Sequence, residues 1–136
     1  MATIRREISV DAPPATAWAA VRDIGNAHQL FAGVLTDCRL EEGARTVTFA
    51  NGMVVRELIV AIDDDARRFA WSARGERFVH HNASLEVLSA EDGRSRVVWT
   101  ADLLPDELAP AVAGLMDMGG AAMQRTFSQR PDWRGR

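Results

Sequence analysis

The architecture is set by residues 45–73, RTVTFANGMVVRELIVAIDDDARRFAWSA. Apolar and polar residues alternate through Arg45 to Ala50, Val54 to Ile62 and Arg67 to Ala73, the period-two mark of strands with one buried face. The connectors, Asn51-Gly52 and Asp63-Asp64-Asp65, are too short for a crossover helix, so neighbouring strands run antiparallel. The pattern extends in both directions. Val34 to Leu40 precedes it, and Val79 to Leu88 and Arg96 to Leu104 come after, joined by turns at Glu42-Gly43, Arg74-Gly75-Glu76 and Glu91-Asp92-Gly93. These strands form a meander.

Upstream, Ile4, Ile8 and Val10 alternate with polar residues and predict a first strand. Asp11-Ala12-Pro13-Pro14 stops it and starts a short helix to about Arg22, because proline is tolerated where a helix needs no N–H donor. Gly25-Asn26 ends that helix, and a second helical turn over Ala27 to Phe31 closes at Gly33. Downstream, Pro105-Asp106-Glu107 opens the one long helix, predicted from about Asp106 to Gln129 and roughly 36 Å long. Arg130 to Arg136 reads as a frayed tail. The expected class is therefore α+β: a seven-stranded curved antiparallel sheet wrapped around a long C-terminal helix, with two short helices between strands one and two.

The chain has 136 residues, of which 47% are apolar and 26% charged, a globular balance and the length of one domain, 1–136. All sixteen basic residues are arginines, scattered along a chain of net charge −3, which leaves no nucleic-acid footprint. Apolar runs are too short for a membrane span. The N-terminus lacks the apolar core of a signal peptide and Cys38 is the one cysteine, and together these favour a cytoplasmic location as the expectation. No cofactor or metal motif appears. Asp63-Asp64-Asp65 lacks the glycine and distal glutamate of a calcium loop.

Leu108, Val112, Leu115, Met116, Gly119, Ala122, Met123 and Phe127 form a stripe at helical spacing that faces the sheet. Gly119-Gly120 in its middle carries a helix-propensity cost of about 1 kcal/mol each. Either backbone packs closely there, or small residues leave volume for a bound molecule, with Met116, Met118 and Met123 as adaptable walls. Alternation adds polar groups to the same interior. Arg56 marks an outer face, which turns Val55, Glu57, Ile59 and Ala61 inward; His81 and Ala83 point in while His80 points out. Trp99 lies inside with Val97, Ala101 and Leu103, and Cys38 lies inside with Val34, Thr36 and Leu40 as an inert thiol. Arg6 is the one arginine that alternation sends inward. Glu57 and His81 either satisfy each other or serve a ligand.

Ile8-Ser9-Val10-Asp11-Ala12-Pro13-Pro14 with Trp18, Val21 and Asp23, then Gly33, the Ala50-Asn51-Gly52 turn, and Ser95-Arg96-Val97-Val98-Trp99-Thr100 leading to Leu104-Pro105-Asp106-Glu107-Leu108, resemble the START-like (SRPBCC) superfamily, in its polyketide cyclase/dehydrase-like branch. The likeness covers about residues 4 to 128. It implies the helix-grip fold, shared with plant hormone receptors and pollen allergens, whose pockets use polar residues of the middle strands. It also implies binding of lipids, polyketides, quinones or hormones, and in some members aromatase/cyclase activity.

Fold alone does not choose among these, and three functions are open. In the first, a small, largely apolar ligand binds an internal cavity walled by Phe31, Cys38, Val55, Glu57, Ile59, Trp71, His81, Ala83, Trp99, Leu115, Met116, Met118, Gly119 and Met123. In the second, the chain is a polyketide cyclase/dehydrase-type enzyme in which His81 and Glu57 exchange acid and base roles. The third is a protein-interaction module without turnover. A homodimer is compatible with each.

Overall fold

A strand opens the chain, β1 (Ala2–Val10), followed by helix α1 (Pro14–Arg22), a 3-10 turn at Ile24–Asn26 and the one-turn helix α2 (Ala27–Leu30). Six strands come next: β2 (Leu35–Glu41), β3 (Ala44–Phe49), β4 (Val54–Asp63), β5 (Arg68–Arg74), β6 (His80–Ser89) and β7 (Ser95–Leu104). A 3-10 turn at Asp106–Leu108 leads into α3 (Ala109–Ser128). These elements come from a computed structural model that describes residues 1–129, so the tail expected at Arg130 to Arg136 lies outside the described residues. Among the described residues no helix is long and apolar enough to cross a membrane.

The seven strands form one antiparallel sheet in the order β1-β7-β6-β5-β4-β3-β2. It is the helix-grip arrangement: the meander returns to β1, and α3 lies across the concave face. The apolar sets of the strands meet the helix stripe in one core that includes Ile8, Leu85, Val97, Met116, Met123 and Phe127.

Two departures from strict alternation move residues out of this core. The register shifts between Leu35 and Asp37 in β2, and between Ile59 and Ala61 in β4. Each shift breaks the alternation where it falls. In β4 it sets Ala61, expected inside, opposite Ala70 and out of phase with Ile59. In β2 it leaves Thr36, expected inside, exposed, while Cys38 and Leu40 keep the inward phase of their partners Val47 and Arg45, and Leu40 is exposed at the end of the edge strand.

The long helix also starts later than its acidic prelude predicts. Pro110 falls in its first turn. In a helix begun at Asp106, the proline would lack a needed N–H and its ring would press on the carbonyl four residues back. The α-helix is twenty residues, about 30 Å long.

Polar clips tie the layers together. The Trp18 indole N–H and the Arg22 guanidinium both donate to Asp64 Oδ1, at 2.9 and 2.7 Å, fixing α1 to the β4–β5 turn. Ser95 Oγ donates to the buried Ala12 carbonyl at 2.6 Å, and Thr126 Oγ1 to the Leu30 carbonyl at 3.0 Å.

Close packing accounts for the glycine pair. A Cβ on Gly119 would come within 2.8 Å of the Trp99 ring, and one on Gly120 within 3.1 Å of the Ile8 side chain. The two sites should respond differently to alanine. Gly119→Ala must displace a large ring and is expected to cost about 1–3 kcal/mol. At Gly120 the flexible end of Ile8 can yield, and the gain in helix propensity, about 1 kcal/mol, offsets the strain. Urea denaturation of the two variants should therefore show a large loss for Gly119→Ala and little change for Gly120→Ala.

Candidate functional site

The helix and the sheet do not meet everywhere. A cavity of about 170 Å³ remains between the first turns of α3 and strands β3 to β6. Its walls are mostly apolar, with Phe31, Val47, Phe49, Val55, Trp71, Trp99, Val112, Leu115 and Met116 among them, and Gly119 at one end. Met53 from the β3–β4 turn, Arg77 and Phe78 from the β5–β6 loop, and Leu108 and Ala111 from the start of the C-terminal helical segment complete the lining. Met53, Arg77 and Ala111 are the more solvent-accessible of these, which places the mouth at this end.

Polar groups enter through a single row of the sheet. Arg45 on β3 pairs with Glu57 on β4, and Glu57 pairs with Ala73 on β5. One step beyond the Ser72–Asn82 pair, Ala73 faces His81 on β6. Glu57 and His81 thus stand two strand spacings apart, roughly 10 Å between backbones, with the short Ala73 between them.

Arg45 Nε donates to Glu57 Oε1 at 2.8 Å, and the two side chains are only 5% and 12% exposed. Arg45 Nη1 also donates to the Ile24 carbonyl at 3.1 Å. The guanidinium lies 4.9 Å from the Phe69 ring centre and 5.7 Å from that of Trp71, within cation–π range. This is a charge-assisted pair enclosed by aromatic faces, whose attraction water screens little.

At the other end of the row the His81 ring lies tilted against Phe78, ring centres 4.7 Å and planes 31° apart, and its Nδ1 is buried without a hydrogen-bond partner. Burial, and secondarily the neighbouring His80, lowers its pKa from the ordinary imidazole value, so the ring is neutral at pH 7.

Of the residues read from the sequence, Phe31, Val55, Glu57, Trp71, His81, Trp99, Leu115, Met116 and Gly119 line the cavity. Five others do not. Met118 is 56% exposed, because two residues along a helix from Met116 is more than half a turn away. Met123 is fully buried in the core, one turn beyond Gly119. Ala83 pairs with Trp71 and is buried, while the Trp71 and Trp99 rings meet at 6.3 Å and close the cavity on that side. Ile59, also opposite Trp71, packs on the core edge at the β4 bulge. Cys38 Sγ donates to the Ile24 carbonyl at 3.5 Å, outside the cavity, and burial pushes its thiol pKa up. Arg6 keeps its inward phase opposite Trp99, but on an edge strand against α3, where it donates to Asp117 at 2.7 Å.

Of the lining residues that sequence reading missed, among them Ala73, Arg77 and Phe78, Arg45 is the one that brings a buried charge. Its signal was present: it shares the phase of Val47 and Phe49, both inward. Among the described residues, no group of three His, Cys, Asp or Glu side chains is placed to hold a metal ion.

Residues 1–130 match the model of the family described as polyketide cyclase / dehydrase and lipid transport. Among solved structures, XoxI from Bacillus cereus is 17% identical, with a TM-score of 0.83 over 94% of this chain and 96% of that one. A solution structure from Thermobifida fusca is 28% identical, with a TM-score of 0.75 over 95% of each chain. Ara h 8.0201 is 20% identical, with a TM-score of 0.74 over 94% of this chain and 98% of that one. The 17% and 20% likenesses carry the fold alone. No curated protein matches.

The half-buried, neutral His81 makes stability depend on pH with a definite sign. Its folded pKa is lowered, so below about 6.5 the unfolded chain binds a proton that the folded one refuses, and acid weakens the fold. Above that pH the penalty is absent. His81→Phe should remove this contribution: between pH 7 and pH 5, its thermal midpoint is expected to fall less than that of the wild type.

Proposed function

The chain belongs to the polyketide cyclase / dehydrase and lipid transport family, and on that footing we propose that it binds a compact, largely apolar molecule in the cavity between α3 and the sheet. The observation that carries this reading is a mostly apolar hollow of about 170 Å³ with a buried Arg45–Glu57 pair and His81 in its walls. Apolar area supplies the affinity and a few fixed polar groups orient the guest. An apolar cavity of about 150 Å³ accepts benzene, so the size points to a ring-sized guest or a ring-sized part of a larger one.

The acid/base alternative draws support from His81, whose neutral imidazole suits a general base. Its other half is weaker. The Glu57 carboxylate is engaged by Arg45, and two strand spacings separate it from His81, so the two do not form a hydrogen-bonded dyad. Binding without turnover accounts for both side chains as they stand.

Ala73 gives the test, because its methyl is the short member of the polar row. Ala73→Leu fills the space between Glu57 and His81. It is expected to raise stability of the ligand-free protein by about 1 kcal/mol, as cavity filling commonly does, and to weaken binding of toluene or phenol at least tenfold. Titrations followed by NMR at the Trp71 and Trp99 indole N–H signals measure the binding, and urea denaturation measures the stability. Wild-type indole signals that ignore both compounds would overturn the reading, as would uptake unaffected by Ala73→Leu.

A further inference from the structure

Buried charge in the wall constrains what the cavity will hold. Arg45 and Glu57 are an arginine and a carboxylate in direct contact, so the pair contributes no net charge to the interior. A third charge brought in by a guest would lose its hydration and find no unmatched countercharge, and a like charge next to either partner would be repelled. Arg77 also lines the cavity, but its side chain is exposed at the mouth, where water and salt screen it. His81, two strands along the same row from Glu57, is neutral at pH 7. The guest's polar end therefore meets hydrogen-bonding groups without meeting a net field. A guanidinium carries five N–H donors, and the bonds to Glu57 and Ile24 leave further donors on the same group for an oxygen acceptor.

We infer that Glu57 sets the charge specificity of the cavity: by neutralising Arg45 it selects uncharged, hydroxyl- or carbonyl-bearing ring compounds and rejects organic anions of the same size. This rests on the cavity being a binding site. Here Glu57 is a specificity-determining group that works through Arg45. Without its charge the same wall would present a buried, unmatched guanidinium, the arrangement that recognises a carboxylate.

The test compares phenol, benzoate and benzylamine at pH 7, three single-ring probes that are neutral, anionic and cationic, on the full chain. The wild type should bind phenol at least tenfold more tightly than either charged probe. In Glu57→Gln, where the near-isosteric amide oxygen can still accept from Arg45, the order should invert, with benzoate affinity rising at least tenfold and phenol changing little. If Glu57→Gln is unstable alone, benzoate should raise its thermal midpoint in a concentration-dependent way, because a ligand of the folded state stabilises by mass action. The double variant Arg45→Gln/Glu57→Gln, again without net charge, should return to preferring phenol. Wild type that binds benzoate as tightly as phenol would overturn this specificity while leaving the cavity-binding reading intact, and so would Glu57→Gln that keeps the wild-type order. Wild type that takes up none of the three probes would overturn the binding reading itself.

Discussion

A seven-stranded sheet is broader than one helix can cover. Six inter-strand spacings give roughly 30 Å of concave face, and a helix with its side chains is about 10 Å across. The long helix α3 takes the β1–β7 side, where Gly120 lets Ile8 approach and Gly119 lets the Trp99 ring lie against the helix backbone. The short helices α1 and α2 and the curl of the sheet cover much of the remainder. The first turns of α3 span the space under β3 to β6 without filling it, and the hollow left there is the cavity. The solid core and the hollow are thus two consequences of one shortage of covering elements, divided by the contact of Trp99 with Phe31 and Trp71.

An ion pair in such a wall calls for a physical account. Removing two charges from water is costly, and a well-packed apolar pair of similar volume is often as stable or more so. Arg45 and Glu57 offset much of that cost locally: they lie directly opposite each other on adjacent strands, the Ile24 carbonyl takes a second guanidinium N–H, and the Phe69 and Trp71 rings face the cation. The same carbonyl accepts from Cys38. The turn between α1 and α2 is thereby tied to β2 and β3, so the pair joins the helical cover to the cavity wall as well as supplying polarity.

The fold could be read from the sequence because its determinants are local. Period-two runs divided by Asn51-Gly52, Glu42-Gly43 and Asp63-Asp64-Asp65 specify antiparallel neighbours without tertiary information. The site was less legible, for three physical reasons. Bulges such as those near Thr36 and Val60 leave no mark in composition, and each breaks the alternation where it falls, which misplaced Thr36 and Ala61. Arg45 was overlooked although it sits in phase with Val47 and Phe49, because an arginine is by default assigned to solvent; Glu57 then lacked its partner and seemed to need His81. Lastly, helical spacing separates Met118 from Met116 by more than half a turn, so residue type without angle put an exposed methionine in the wall.

The contacts that hold the fold are largely separate from those that shape the cavity. Trp18 and Arg22 on Asp64, Ser95 on the Ala12 carbonyl and Thr126 on the Leu30 carbonyl all lie outside it. The lining instead comes largely from the middle strands, the β3–β4 and β5–β6 connections and the first turns of α3. Most substitutions there change hydrogen bonding, volume or charge without removing a structural clip. Arg45, which holds the Ile24 carbonyl, and Gly119 and Trp99, which serve the core and the cavity end at once, are the exceptions, and there shape should be least free to vary. This separation gives a physical reason why structures of low sequence identity keep the same sheet and helix: the covering problem has one geometric solution, while the hollow it leaves can be chemically redecorated. For this chain the decoration is a neutralised ion pair, a neutral imidazole and aromatic faces around a ring-sized space. What the wall offers chemically is therefore set by Arg45, Glu57 and His81 rather than by the fold that carries them.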